Sequence, residues 1–276
     1  MRLATVRIGG GTRAARVEGE RLVLLGAPDV VSLLASPRWQ EEAATGGSAD
    51  GPALEEADLA PVVRPARVVC VGLNYRSHIL ETGRELPEYP TLFAKFPDTL
   101  LGPRDDLVLP AASERVDWEA ELGVVVGRTL RRAGAAEAEA AIAGFTAVND
   151  VSMRDWQRRT LQWFQGKNFE ATTPVGPVLT TPDEVGQATD LKLRCTVDGE
   201  VVQEASTADL LFGPAEILAY VSTFMTLHPG DLVATGTPGG VGAARTPPVF
   251  LRPGQVVEVS LEGIGSLVNR CVAEAS

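Results

Sequence analysis

Cysteine is scarce in this chain of 276 residues: Cys70, Cys195 and Cys271 are odd in number, far apart and in no Cys-x-x-Cys pair. Neither a disulfide framework nor a zinc–thiolate site is expected from them, and buried thiols are the simplest reading. Long apolar runs are missing too. No stretch approaches 18 uninterrupted apolar residues, and the opening Met1-Arg2-Leu3-Ala4-Thr5-Val6-Arg7 has no apolar leader core, so the chain is expected to be cytoplasmic with no membrane contact. Positive charge is in short supply, with 25 Lys and Arg against 36 Asp and Glu and a formal charge of -11. Such a field repels phosphate backbones and anionic lipid, so nucleic acid is not an expected partner. An anionic small molecule would need a local cation to bind, either a metal or a few placed Lys and Arg side chains. Histidine is nearly absent: only His78 and His228 occur, and His228 sits in the turn-like Leu227-His228-Pro229-Gly230.

What remains is an ordinary globular composition, 45% hydrophobic and 22% charged, in a chain long enough to bury a large core. Residues 1–60 open with short β-like segments: Leu3 to Ile8, a Gly9-Gly10-Gly11 turn, Ala14 to Val17 and Arg21 to Leu25. The glycine triplet has no Gly-Lys-Ser/Thr after it and is read as a turn, not a phosphate loop. Residues 43–66, rich in Ala, Gly, Glu, Asp and Pro, read as a linker into a second unit over 61–276. There, apolar runs such as Val68 to Val71, Leu122 to Val126, Leu191 to Val197, Leu232 to Thr235 and Val256 to Leu261 alternate with Pro/Gly turns. Helices are expected over Ala135 to Ala143 and Pro214 to Met225, with short turns near His78 and Arg154. The expected class is α+β, mainly β.

Four segments offer chemistry. In Asp117-Trp118-Glu119-Ala120-Glu121-Leu122, a strand would put Glu119 and Glu121 on one face with Asp117, where a hard cation would relieve their repulsion. The spacing by itself fits a solvated sheet edge as well. Asp150 ends the run Gly144 to Asn149, and three oxygen ligands from separate elements would leave room for water or substrate; an Asn-Asp pair is also a plain turn signal. His78 and Glu81 stand three apart, able to form a general-base dyad or an incidental surface pair. Lys167, Arg154 and Gln157 offer polar groups to a developing enolate or a carboxylate, and Thr235-Gly236-Thr237-Pro238-Gly239-Gly240-Val241-Gly242 offers backbone amides and the Thr237 hydroxyl.

The order of these motifs resembles one family, the fumarylacetoacetate hydrolase family, over roughly Val68 to Val272. The motifs are Gly72-Leu73-Asn74-Tyr75 with His78 and Glu81; Pro90-Thr91-Leu92-Phe93-Ala94-Lys95; Asp117 to Gly123; Asn149-Asp150-Val151-Ser152 with Arg154, Asp155 and Gln157; and Leu227 to Gly242. The resemblance implies a mixed β-sandwich roll with a small N-terminal β-rich domain, usually as a homodimer. It implies that Glu119, Glu121 and Asp150 bind Mg²⁺ or Mn²⁺, with Ca²⁺ also admitted by an all-oxygen set. His78 and Glu81 would form a water-activating dyad on a lid, and Lys167 would lie at the substrate with Tyr75, Arg154, Gln157 and Thr237. The reaction expected first is hydrolysis of a C–C bond in a small acylpyruvate-type 2-oxo acid; decarboxylation or keto–enol isomerisation of a 2-oxo dicarboxylic acid is the alternative on the same site, and a non-catalytic binding homologue is a third reading. Where many relatives have Lys-x-Phe-Asp, this chain has Lys167-Asn168-Phe169-Glu170. Arg76, Arg84 and Trp163 are candidates to line the substrate's tail.

Overall fold

The computed structural model describes every residue except Thr82, Arg84 and Ser276, and of Glu81 the backbone only. Two antiparallel-rich sheets carry the chain. The larger has ten strands, and its main path runs Arg21–Leu24, Gly11–Glu18, Arg2–Ile8, Thr173–Thr180, Ile142–Asn149, Ala120–Val126, Leu232–Ala234, Val68–Gly72 and Thr91–Lys95. The smaller runs Glu200–Ser206, Lys192–Val197, Val256–Leu261, Gly265–Ala273 and Leu107–Leu109. The fold is mainly-β α+β.

Burial explains the sequence patterns. Lys192–Val197 and Val256–Leu261 alternate buried with exposed or partly exposed residues, as strands with one wet face must. Ala120–Val126, Ile142–Asn149 and Thr173–Thr180 are buried at every position, because both faces of the larger sheet are covered there. Pleating splits one run between two cores: Val124 and Val126 pack with Leu193, Val257, Val259 and Leu267 of the smaller sheet. Val125 between them packs on the opposite face with Val30, Leu33, Leu34 and Trp39. Those residues belong to two short helices, Val30–Leu34 and Trp39–Thr45.

The N-terminal hairpin turns at Gly9 and Gly10, both at positive φ, as a two-residue turn with the strands' own twist requires. Its first strand joins the large sheet directly, with Arg2 opposite Thr180 and Leu3 opposite Leu179. The helix expected from Ala135 to Ala143 stops at Ala140, since Ile142 is taken into the strand pairing with Val126. Sheet pairing overrides the local helical preference of the alanine-rich run. The longest helix, Pro214–Phe224, starts with Pro in its first turn as expected. Among the described residues no helix is long and apolar enough to cross a membrane.

Candidate active site

The site grows out of two neighbouring central strands. Asn149 is opposite Ala120, and the Asp150 N–H donates to the Glu119 carbonyl at 2.9 Å, so Asp150 leaves its strand where Glu119 enters the next. The Asn149 side-chain oxygen accepts from the Glu119 N–H at 3.0 Å and fixes that entry. Glu119, Glu121 and Asp150 thereby bring one carboxylate oxygen each to within 4.8 Å of one another. They are 6%, 1% and 0% exposed, so the solvated-edge reading fails: this is the middle of the sheet. Asp117 turns to a different task. Its two oxygens accept from the Gly242 and Ala243 N–H groups and from Arg154 Nε at 2.7 to 2.9 Å.

Three buried cations answer these acids. Lys167 Nζ lies 2.7 Å from Glu119 Oε2 and 2.6 Å from Asp150 Oδ2; Lys95 Nζ lies 2.6 Å from Asp150 Oδ1; Arg154 Nη1 lies 2.6 Å from Glu119 Oε1. Burial disfavours a charge on Asp150, but Lys167 and then Lys95 outweigh it and hold the carboxyl at about 2. Burial also disfavours the Lys167 ammonium, and Asp150 and Glu119 overcome that and keep it protonated. Glu121 makes no ion pair among the described residues and accepts the Gly236 N–H at 2.8 Å. Burial, followed by the charges of Asp150 and Glu119, pushes its carboxyl well above the ordinary range.

A cavity of about 160 Å³ opens onto this cluster, walled by Gly72, His78, Phe93, Glu119, Glu121, Arg154, Gln157, Trp163, Lys167 and Thr237 among others. Most of the expected site residues thus share one space. His78, on the short helix Arg76–Glu81, is partly exposed at its wall, while the Glu81 side chain and Arg84 lie outside the described residues. Tyr75 stands apart: it is fully buried, is not in the cavity wall and leaves its hydroxyl without a partner. Arg76 is exposed and donates to the Leu211 carbonyl. Glu170 is exposed and makes no ion pair among the described residues. Two amides of the Thr235–Gly242 loop are already taken within the protein: Glu121 accepts the Gly236 N–H and Asp117 accepts that of Gly242. Thr237 and Val241 are the residues of this loop in the cavity wall, and Thr237 brings a hydroxyl there.

Lys95, the last residue of the Pro90–Lys95 motif, was not among the expected site residues. The signal was composition: the chain has three lysines, Lys95, Lys167 and Lys192, against 22 arginines, and two of the three are buried here. A residue so sparingly used and yet retained inside deserves a chemical reason.

The donor set suits a hard divalent ion. Three carboxylates converge, all donors are oxygen, and Glu121 is a buried acid that makes no ion pair among the described residues. With Glu121 ionised, as an ion bound there would require, the four acids Asp117, Glu119, Glu121 and Asp150 face the three bases Lys95, Arg154 and Lys167, which leaves one negative charge over. A divalent ion would turn that into one positive charge and make the cavity attractive to an anion.

Comparison with known proteins gives the chain a family. The family model described as fumarylacetoacetate (FAA) hydrolase C-terminal matches residues 67–272. The mitochondrial oxaloacetate tautomerase FAHD2A of Homo sapiens is 46% identical over 223 residues, covering 80% of this chain and 71% of the relative. Two solved structures overlay nearly the whole chain. One is a fumarylacetoacetate hydrolase from Exiguobacterium antarcticum, with TM-score 0.86 and 32% identity over 99% of this chain and 100% of that one. The other is a 2-hydroxyhepta-2,4-diene-1,7-dioate isomerase from Mycobacterium marinum, with TM-score 0.82 and 32% identity over all of both chains.

These relatives correct two expectations. Hydrolysis of a C–C bond is not retained, because the 46%-identical relative is named as a tautomerase. The physical reason is that hydrolysis, decarboxylation and tautomerisation of a 2-oxo acid can share a metal-stabilised enolate, so carboxylates that could hold a metal do not say which bond changes next. The cytoplasmic expectation is overturned by the mitochondrial naming of relatives at 45 to 46% identity. It rested on the lack of an apolar leader, and an organelle transit peptide has no apolar core to look for. The acidic cluster and the match over residues 67–272 lead to one statement about descent: the chain is an enzyme of the fumarylacetoacetate hydrolase family.

Proposed function

We propose that this enzyme interconverts the keto and enol forms of a small 2-oxo dicarboxylate of the oxaloacetate class, with a divalent ion held by Glu119, Glu121 and Asp150. The observation that carries the reading is that Glu119 and Glu121 of the three-acid cluster share one cavity wall with Arg154, whose Nη2 is buried with no hydrogen-bond partner among the described residues. The name of the human relative supports the reaction type.

When bound, the ion would supply a Lewis acid for the 2-oxo oxygen, making the neighbouring C–H more acidic. The residues do the rest. Arg154 is held on three sides, by Asp117, Glu119 and the Gln157 side-chain oxygen at 3.0 Å, so its remaining nitrogen is a preorganised donor for a substrate carboxylate. Lys167 keeps a positive charge at the cavity wall, where negative charge collects on the substrate oxygen. His78, partly open to solvent, moves the proton: it leaves C3, the C2–C3 double bond forms, and the C2 oxygen receives a proton. No water is consumed and no carbon–carbon bond breaks. Trp163 and Phe93, packed edge to face at 5.5 Å, narrow the cavity and favour short substrates.

The test follows the enol absorbance of oxaloacetate in the ultraviolet, with Mg²⁺ or Mn²⁺ and after chelation. Glu119→Gln is expected to bring the metal-dependent rate to background. His78→Ala is expected to cost about 10²- to 10⁴-fold in rate while leaving metal affinity intact. A rate that survives chelation unchanged defeats the proposal.

A further inference from the structure

We propose that Gln203 is a positioning residue that fixes the Thr237 hydroxyl as a hydrogen-bond donor to the anionic group of the substrate. The inference rests on the reading above that the cavity takes an anionic 2-oxo acid.

Gln203 is 2% exposed and lies on Glu200–Ser206, the edge strand of the smaller sheet. Its side-chain oxygen accepts from the N–H of Ala120, the residue between Glu119 and Glu121, at 3.0 Å. Its side-chain nitrogen donates to the Pro238 carbonyl at 3.0 Å and to the Thr237 hydroxyl oxygen at 2.9 Å. Two backbone partners fix the orientation of this amide: an N–H can only donate and a carbonyl can only accept. The nitrogen's second hydrogen therefore faces Thr237 Oγ1, which must accept it.

A hydroxyl has one proton and two lone pairs. With a lone pair committed to Gln203, the Thr237 proton points elsewhere, and no described residue accepts it. Thr237 is part of the wall that Arg154 and Lys167 also form. The arrangement delivers an O–H to the cavity, matched to a carboxylate or enolate oxygen that can only accept. The loop itself is held from both sides of Thr237, by the Gly236 N–H on Glu121 Oε2 and by Pro238 on Gln203. Gly236 has φ near +100°, and a side chain there would meet the Val71 carbonyl at 2.9 Å, so this backbone course needs glycine. One amide thus ties the strand carrying the acids to the loop carrying the hydroxyl.

Oxalate, a small dianion, is titrated calorimetrically into the Mn²⁺-loaded protein, with Mn²⁺ alone titrated as the control. Thr237→Val is expected to weaken oxalate by about tenfold and Gln203→Met by about three- to tenfold, with Thr237→Ser close to wild type. The double variant Gln203→Met/Thr237→Val is expected to bind oxalate no worse than Thr237→Val alone, because the amide acts through the hydroxyl. Affinity for Mn²⁺ alone is expected to stay within about twofold, and with oxaloacetate the change falls on KM more than on kcat. A mere brace on Ala120 would instead disturb Mn²⁺ and add its loss to that of Thr237→Val; either result overturns the proposal. So does oxalate affinity in Thr237→Val equal to wild type, a result that stands even if Gln203→Met does not fold. Wild-type protein that shows this oxalate pattern but no oxaloacetate enolisation would defeat the tautomerase reading and leave this one standing.

Discussion

Arg7 grips Asp105 through two contacts of 2.9 and 2.6 Å and reaches Asp58 at 2.8 Å, while Lys167 grips Glu119 and Asp150 at 2.7 and 2.6 Å. By distance the two clusters are the same object. By burial they are opposites: the side chains of Arg7, Asp58 and Asp105 are 35%, 65% and 28% exposed, whereas those of Lys167, Glu119 and Asp150 are 2%, 8% and 0%. The first cluster fastens the N-terminal strand to two loops, in water, where an ion pair is worth little. The second has been taken out of water at a cost that hydrophobic side chains of the same size would avoid. A sequence that keeps four acids and three bases inside its sheet is explained by what they bind, not by how much they stabilise.

Removing a partner from each cluster sharpens that contrast. Asp150→Asn leaves buried Lys167 with Glu119 alone and buried Lys95 with no ion pair among the described residues, and is expected to cost about 3–5 kcal/mol in denaturant unfolding and to abolish metal binding. The melt and a Mn²⁺ titration read both effects. Next in size is Lys95→Met, which removes one charged hydrogen bond from Asp150 but leaves Lys167 on it; about 1.5–3 kcal/mol of stability is expected to go. A loss as large as that of Asp150→Asn would mean that Lys95, and not the carboxylate, is the keystone of the cluster.

How far the sequence foretold this contrast varies residue by residue. Strands were readable from apolar runs, but the runs did not separate Lys192–Val197, which has one wet face, from Ala120–Val126, which is buried throughout, because coverage of a face is decided by tertiary packing. Val30–Leu34 and Trp39–Thr45 were not readable, since five and seven residues hold too few turns to show a helical period. Glu119, Glu121 and Asp150 were found through the order of family motifs, while their spacing alone fitted a wet edge equally well. What decides between the two is that Ala120–Val126 lies in mid-sheet, a matter of topology. Gln203 was illegible for the same reason: its partner Ala120 is 83 positions away and in the other sheet. The reaction was misread because the enolate chemistry is common to several outcomes.

Among the described residues Glu121 is the acid of this cluster that makes no ion pair, so its replacement should behave unlike that of Asp150. Its carboxyl is raised in the metal-free fold, which means the folded state holds the proton more tightly than the unfolded chain does. That contribution to stability is full below the unfolded value and is lost as pH rises through the folded one. Glu121→Gln, which cannot ionise, is therefore expected to abolish metal binding yet to melt higher than wild type at pH 8 without metal, the two converging as the pH falls into the ordinary carboxylate range. A variant that melts lower at pH 8 would show that Glu121 is compensated after all. In the wild type, metal affinity is expected to weaken as pH falls, since the ion must displace this proton.

The smallest effect belongs to the exposed cluster. Asp105→Asn keeps the shape, and its amide oxygen can still accept the Gly102 N–H and Arg7 Nη2, so what is lost is the charge opposite Arg7 and the hydrogen bond from Arg7 Nη1 to the other oxygen. A cost of about 0.5–1 kcal/mol is expected, shrinking further in 1 M salt, with metal affinity and turnover untouched. Salt is the discriminating variable, because screening reaches an exposed pair and not a buried one. If Asp105→Asn costs as much as Asp150→Asn and the loss ignores salt, burial is not what separates the two clusters, and the argument that the inner one is kept for binding loses its physical basis.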